Sequence, residues 1–164
     1  MRRFAIIPLL LALAGCGLQP LYGGGTSSPI SATLRSVEVA PIAGKAGWLM
    51  RNKLVDRLGE NGSGAAHYRL DVTLDDNIIA FGVRSDQAAT RERRTLRARF
   101  QLVDLSNGSV VLDATAGSDA GIDIVSSEYA TVAAEQTALE NLSGIVADQI
   151  VARLAIFSRR TAAK

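Results

Sequence analysis

From Tyr68 the chain alternates, with Tyr68, Leu70, Val72 and Leu74 on one side of an extended backbone and Arg69, Asp71, Thr73 and Asp75 on the other. A period of two is the signature of a half-buried strand. The alternation returns in "ATRERRTLRARFQLVDL", where Leu96, Ala98, Phe100 and Leu102 point inward and Arg91, Arg93, Arg97 and Arg99 outward. Asn107-Gly108 follows, the dipeptide favoured by two-residue type I′ hairpins, ahead of a further strand in "SNGSVVLDATAGS". Three consecutive antiparallel strands are therefore predicted.

Upstream, "ATLRSVEVAPI" reads as a first strand, with Arg35, Val37 and Val39 on one side and Pro41 ending it. Met50, Leu54 and Leu58 recur at helical spacing, which predicts a short amphipathic helix over about Trp48 to Leu58 with Gly59 as its stop. A long helix is expected from about Ser127 to Phe157. Ser126 or Ser127 caps it, Glu128 suits the positive end of its dipole, and Leu139, Leu142, Val146, Ile150 and Phe157 form its apolar stripe. Gly144 falls inside that helix and weakens it locally, and the tail "SRRTAAK" is expected to fray. The order β-α-β-β-β-α gives an α+β two-layer sandwich: a four-stranded, mainly antiparallel sheet with two helices on one face and a charged opposite face.

The first residues follow another logic. Arg2 and Arg3 precede an apolar run from Phe4 to Leu13, and small residues Ala14 and Gly15 lead to the chain's single cysteine, Cys16. This reads as an export signal. Interrupted by Pro8, the run falls short of the roughly 20 apolar residues that span a bilayer. Leu13-Ala14-Gly15-Cys16 resembles the bacterial lipobox, in which the cysteine becomes the first mature residue and its sulfur carries diacylglycerol. A thiolate is the nucleophile such chemistry needs, and an unpaired exposed thiol would otherwise be a liability in an oxidising compartment. Two or three acyl chains, palmitate among them, would hold the body on a membrane by a stable lipid anchor. The expected layout is a signal peptide over 1–15, a lipidated N-terminus and flexible Gly/Ser/Thr-rich linker over 16–30, one α+β domain over 31–158, and a tail over 159–164.

Processing changes the charge balance. The whole chain has 18 Lys and Arg against 16 Asp and Glu, and losing Arg2 and Arg3 leaves 16 of each. A neutral body argues against general nucleic-acid binding. With one cysteine there is no intramolecular disulfide, so apolar packing must hold the fold.

Catalytic chemistry finds few candidates. His67 is the only histidine, beside Tyr68 at a strand edge, and no G-x-S-x-G elbow accompanies it. One Cys and one His do not make a structural zinc site, and "GGGTSS" lacks the lysine of a phosphate loop. The acidic pairs Asp75-Asp76 and Asp119 with Asp123 read as solvated or capping groups. No catalytic residue, metal site or cofactor is expected. What remains is the outward arginine row, with Arg84 and Arg94 near its turn end. Guanidinium forks take phosphate or carboxylate bidentately, so Arg91, Arg93, Arg97 and Arg99 are candidates for an anionic lipid head group. Equally, Asp71 and Asp75 on the neighbouring strand could neutralise Arg97 and Arg99 as cross-strand pairs.

The lipobox, the following "CGLQPLYGGG" and the β-α-β-β-β-α layout with a long C-terminal helix together resemble LptE. That is the lipopolysaccharide-assembly lipoprotein family of Gram-negative outer membranes, in its alphaproteobacterial form. The resemblance implies a non-catalytic protein that plugs the lumen of the large outer-membrane β-barrel LptD from the periplasmic side. It also implies help in assembling that barrel and binding of lipopolysaccharide on its way to the outer leaflet. Gly17 after the cysteine is similar to lipoproteins sent to the outer membrane. The lysines that matter in other members of the family cannot be placed here, because the body has only Lys45 and Lys53 before the tail Lys164. An auxiliary lipoprotein of a periplasmic lipid-transport ABC system would share the anchor, linker and body, and is the alternative.

Overall fold

The computed structural model describes residues 29–59, 65–83 and 89–162. In chain order the elements are α1 (Pro29–Arg35), β1 (Val37–Val39), α2 (Gly44–Leu58), β2 (Tyr68–Val83), β3 (Ala89–Asp104), β4 (Val110–Asp123) and α3 (Glu128–Ala162). They form one sheet of order β1-β2-β3-β4 with the helices on one face. The expected α+β two-layer sandwich is what forms, but the sheet is mixed: β1 runs parallel to β2, while β2, β3 and β4 are antiparallel. A parallel neighbour follows from connectivity, because a crossover helix returns the chain to the end at which it started. Here that helix is α2.

Several boundaries differ from the sequence reading, each for a local reason. The start of "ATLRSVEVAPI" is helical, and only Val37–Val39 is strand. Ile30 and Leu34 sit four residues apart, Leu34 is buried, and Pro29 opens α1 where a missing N–H costs nothing. Arg35 is thus a helix residue whose Nε donates to the Ser31 carbonyl, and the Ser36 hydroxyl donates to that of Thr33. At α2 the helix begins at Gly44 instead of Trp48. Gly47 makes this possible, since a Cβ there would lie 2.5 Å from the Ile42 carbonyl oxygen. Trp48 itself is exposed. Gly59 ends the helix at φ 84°, a conformation that other residues rarely adopt, with its N–H donating to the Val55 carbonyl.

The β3–β4 connection is five residues, 105–109, instead of a two-residue type I′ turn. Asp104 takes over its organisation: its carboxylate accepts from the Ser106 N–H and hydroxyl, and its carbonyl accepts from the Gly108 N–H at 2.8 Å. The two bonds from Ser106 hold the Asp104 carboxyl below its ordinary pKa. Helix α3 passes through Gly144 and continues beyond Phe157 to Ala162. Ser127 caps it as expected, its hydroxyl accepting from the Ala130 N–H.

The core lies between sheet and helices. Met50, Leu54, Leu70, Phe100, Val146 and Ile150 are fully buried, and Tyr68 meets Phe157 edge to face at 6.2 Å. Matching lengths explain the layout: 35 residues of helix and 16 of strand each span about 50 Å. Helix α3 therefore covers the sheet from end to end. At 15 residues α2 reaches less than half as far. It starts beside α3 residues 132–139 and ends where Arg57 pairs with Asp148 and donates to the Gly144 carbonyl. Beyond its N-terminus no helix among the described residues is packed on the inner face of β2.

Candidate functional site

Continuous pairing of β2 with β3 from Tyr68↔Asp104 to Phe81↔Arg91 fixes the faces of both strands. Arg91, Arg93, Arg97 and Arg99 all stand on the outer face and are exposed, as their odd positions predict. Their partners, however, differ from those anticipated. Asp71 holds Arg69 two residues away on its own strand. Arg99 turns to β4, donating to Asp113 from Nε at 3.2 Å and Nη2 at 2.8 Å. With Gln101 also donating, the Asp113 carboxyl is lowered to about 2. Arg91 donates to Asp123, likewise on β4. Geometry decides this: β4 supplies acids at the outward positions beside Arg91 and near Arg99.

Arg93 and Arg97 are left without an ion pair among the described residues. The Arg93 guanidinium carbon stands 5.4 Å from the centroid of the Phe81 ring, an attraction that leaves its N–H groups available. Asp75 lies opposite Arg97 in register, yet no salt bridge joins them. The candidate row thus divides into two neutralised and two available guanidinium groups. Cys16, the lipobox, most of the linker and Arg84 lie outside the described residues.

On the inner face the structure adds a group that the outward stripe did not include. Arg94 sits at an even position, among Leu96, Ala98 and Phe100, and forms a fork with Asp76: Nε to Oδ1 at 2.8 Å and Nη2 to Oδ2 at 2.6 Å. Its Nη1 donates to the Glu135 carbonyl on α3 at 2.9 Å. The side chains are only 11% and 22% exposed, which makes this the most enclosed ion pair among the described residues. The hydrogen bonds to Asp76 raise the Arg94 pKa further. Glu92, also inward, has its pKa raised by burial and then by the neighbouring Glu135. A charged residue at an apolar position of the strand pattern was the readable signal for this network.

Beside it lies a groove of about 700 Å³ between the start of α2, the inner face of β2 and α3. Leu74, Ile78, Val132 and Leu139 line it, with Arg94, Asp76 and Lys45 at its margins. Among the described residues, no cluster of three or more metal-ligating side chains occurs, and no helix is long and apolar enough to cross a membrane. His67 is exposed at the start of β2, its N–H donating to the Ser36 carbonyl.

Residues 34–154 match the family of lipopolysaccharide-assembly proteins, LptE. The chain belongs to the LptE family. Among solved structures, a lipoprotein from Caulobacter crescentus CB15 is similar at 27% identity and a TM-score of 0.65, covering 79% of this chain and 96% of that one. Rare lipoprotein B from Shewanella oneidensis shares the fold at 10% identity and a TM-score of 0.60, over 77% and 98% of the two chains. Lipoprotein B from Nitrosomonas europaea does so at 12% and 0.55, over 76% and 88%. No curated protein matches by sequence. LptE membership makes this a lipopolysaccharide-assembly lipoprotein of the cell envelope, in a non-enzymatic family.

Proposed function

We propose that this protein is anchored to the outer membrane through acylated Cys16, faces the periplasm, plugs and helps assemble the LptD β-barrel, and assists insertion of lipopolysaccharide into the outer leaflet. The observation that carries the reading is the family match across residues 34–154, which takes in all four strands and most of α3. The shape agrees with it. Over most of its length the outer sheet face is uncovered and polar, a surface suited to the polar interior of a large barrel. Within that face Arg93 and Arg97 are the groups through which phosphates or acidic sugars of lipopolysaccharide are held, while Arg91 and Arg99 are already engaged by Asp123 and Asp113.

Paired substitutions test the ligand role. Arg93→Gln with Arg97→Gln should weaken lipopolysaccharide binding by about tenfold or more, the scale of one or two lost charge-assisted hydrogen bonds. Arg91→Gln with Arg99→Gln should change it far less. Equal effects from both pairs would reject this division of the row. A photo-crosslinking side chain at Thr95, on the same face, should join the protein to the barrel in cells. Failure to crosslink there would argue against burial of this face in the lumen.

A further inference from the structure

Beyond β1, one edge of β2 has no strand partner among the described residues. In the parallel β1–β2 pair the Tyr68 N–H donates to the Ser36 carbonyl and the Leu70 carbonyl accepts from the Ala40 N–H, so even residues of β2 direct their backbone groups toward β1. But β1 ends at Val39, and Pro41 takes the chain away into α2. Because the β2–β3 register runs without interruption to Phe81, the N–H and C=O groups of Val72, Leu74, Asp76, Ile78 and Ala80 face an edge that no described strand occupies. The opposite edge of the sheet is treated differently. There the Gln149 side chain accepts from the Gly117 N–H at 3.1 Å and donates to its carbonyl at 3.3 Å, blocking β4 at its middle.

The groove adjoins this open edge. Leu74, Asp76 and Ile78 line it, so a strand laid along β2 would send alternate side chains into the space bounded by Val132 and Leu139 on α3. Its other side chains would stand on the outer face beside Thr73, Asp75 and Asn77. Asp75 is exposed and has no ion pair among the described residues. A second copy of β2 fits poorly, since it would bring two acidic runs of Asp71, Asp75 and Asp76 together.

We propose that residues 72–80 of β2 accept an extended polypeptide segment of a partner protein as an added strand in line with β1, with small aliphatic residues on its inner face and Lys or Arg on its outer face. Main-chain hydrogen bonds supply affinity in such strand addition, and the alternate side chains supply selectivity.

The test uses the full chain in detergent micelles and a labelled peptide of alternating valine and lysine with blocked ends. Binding is read by fluorescence anisotropy, and the site by residue-resolved amide exchange. The amides of Val72, Leu74, Asp76, Ile78 and Ala80 should become protected, while those of Thr73, Asp75 and Asn77, already paired with β3, should not change. N-methylation of alternate peptide residues should weaken binding by about tenfold or more, since it removes main-chain donors without touching the protein. Asp75→Lys should weaken the lysine peptide and improve a peptide with glutamate in place of lysine. Absence of binding at about 1 mM peptide, undiminished binding after N-methylation, or protection along β4 instead of β2 would each overturn the proposal.

Discussion

Breaking the Arg94–Asp76 fork is the sharpest test of how the charged inner-face residues contribute to the fold. Asp76→Ala leaves a guanidinium whose side chain is 11% exposed with only its bond to the Glu135 carbonyl, and Arg94→Ala leaves Asp76 at 22% exposure without a partner. Hydrogen bonds to charged groups each contribute about 1.5–3 kcal/mol, and removing one partner of a fully buried pair costs about 3–5 kcal/mol. Partial exposure places each single variant near the lower end, at about 2–4 kcal/mol. Because both variants remove the same two bonds, the double variant should cost clearly less than their sum, with a coupling of about 1–3 kcal/mol. Urea unfolding of the four proteins, followed by far-ultraviolet circular dichroism, measures this directly. The same cycle on the exposed Arg91–Asp123 pair should give a coupling within error of zero. Equal coupling in the two cycles would refute the link drawn between enclosure and strength.

Other outcomes follow from the same structure. Leu54→Ala, at a position with no exposed surface, should destabilise by about 2–5 kcal/mol and lower the thermal midpoint. Gly59→Ala should cost about 1 kcal/mol or more in the same assay, because φ is 84° there and a Cβ would stand 3.3 Å from Arg35 Cγ. Glu92 has a raised folded pKa, so its contribution is fully present below the unfolded value and is lost as pH rises through the folded one. Glu92→Gln should therefore gain stability relative to the parent between acidic and neutral pH, measured as urea midpoints; a constant difference across that range would contradict the assignment. Mass spectrometry of the mature N-terminus should find it beginning at an acylated Cys16, and an unmodified start of the mature chain would remove the case for an acyl anchor.

What the sequence made legible was whatever one element decides alone. The alternation from Tyr68 to Asp75 and from Arg91 to Leu102 determined both faces of β2 and β3, and Met50, Leu54 and Leu58 marked the buried side of α2. Helix α1 is hard to read because seven residues carry too little periodicity to separate Ile30 and Leu34 at helical spacing from a strand. Gly44 and Gly47 look like loop residues and hide the start of α2, and only the approach of Ile42 shows why glycine is needed at position 47. The arginine row was visible as a row, but which acids would neutralise it depends on β4 lying beside β3, a fact of topology. Asp76, expected as a solvated or capping acid, and Arg94, expected near the turn end of the outward row, instead stand at inward positions of the alternation, and their pairing depends on the register of two strands.

The barrel partner is the part of the proposed function on which the rest depends. Affinity purification of the native protein from detergent-solubilised outer membrane, with identification of the associated proteins by mass spectrometry, should recover the LptD β-barrel in a stable complex together with lipopolysaccharide. Recovery with an inner-membrane transporter, or without any barrel, would contradict it.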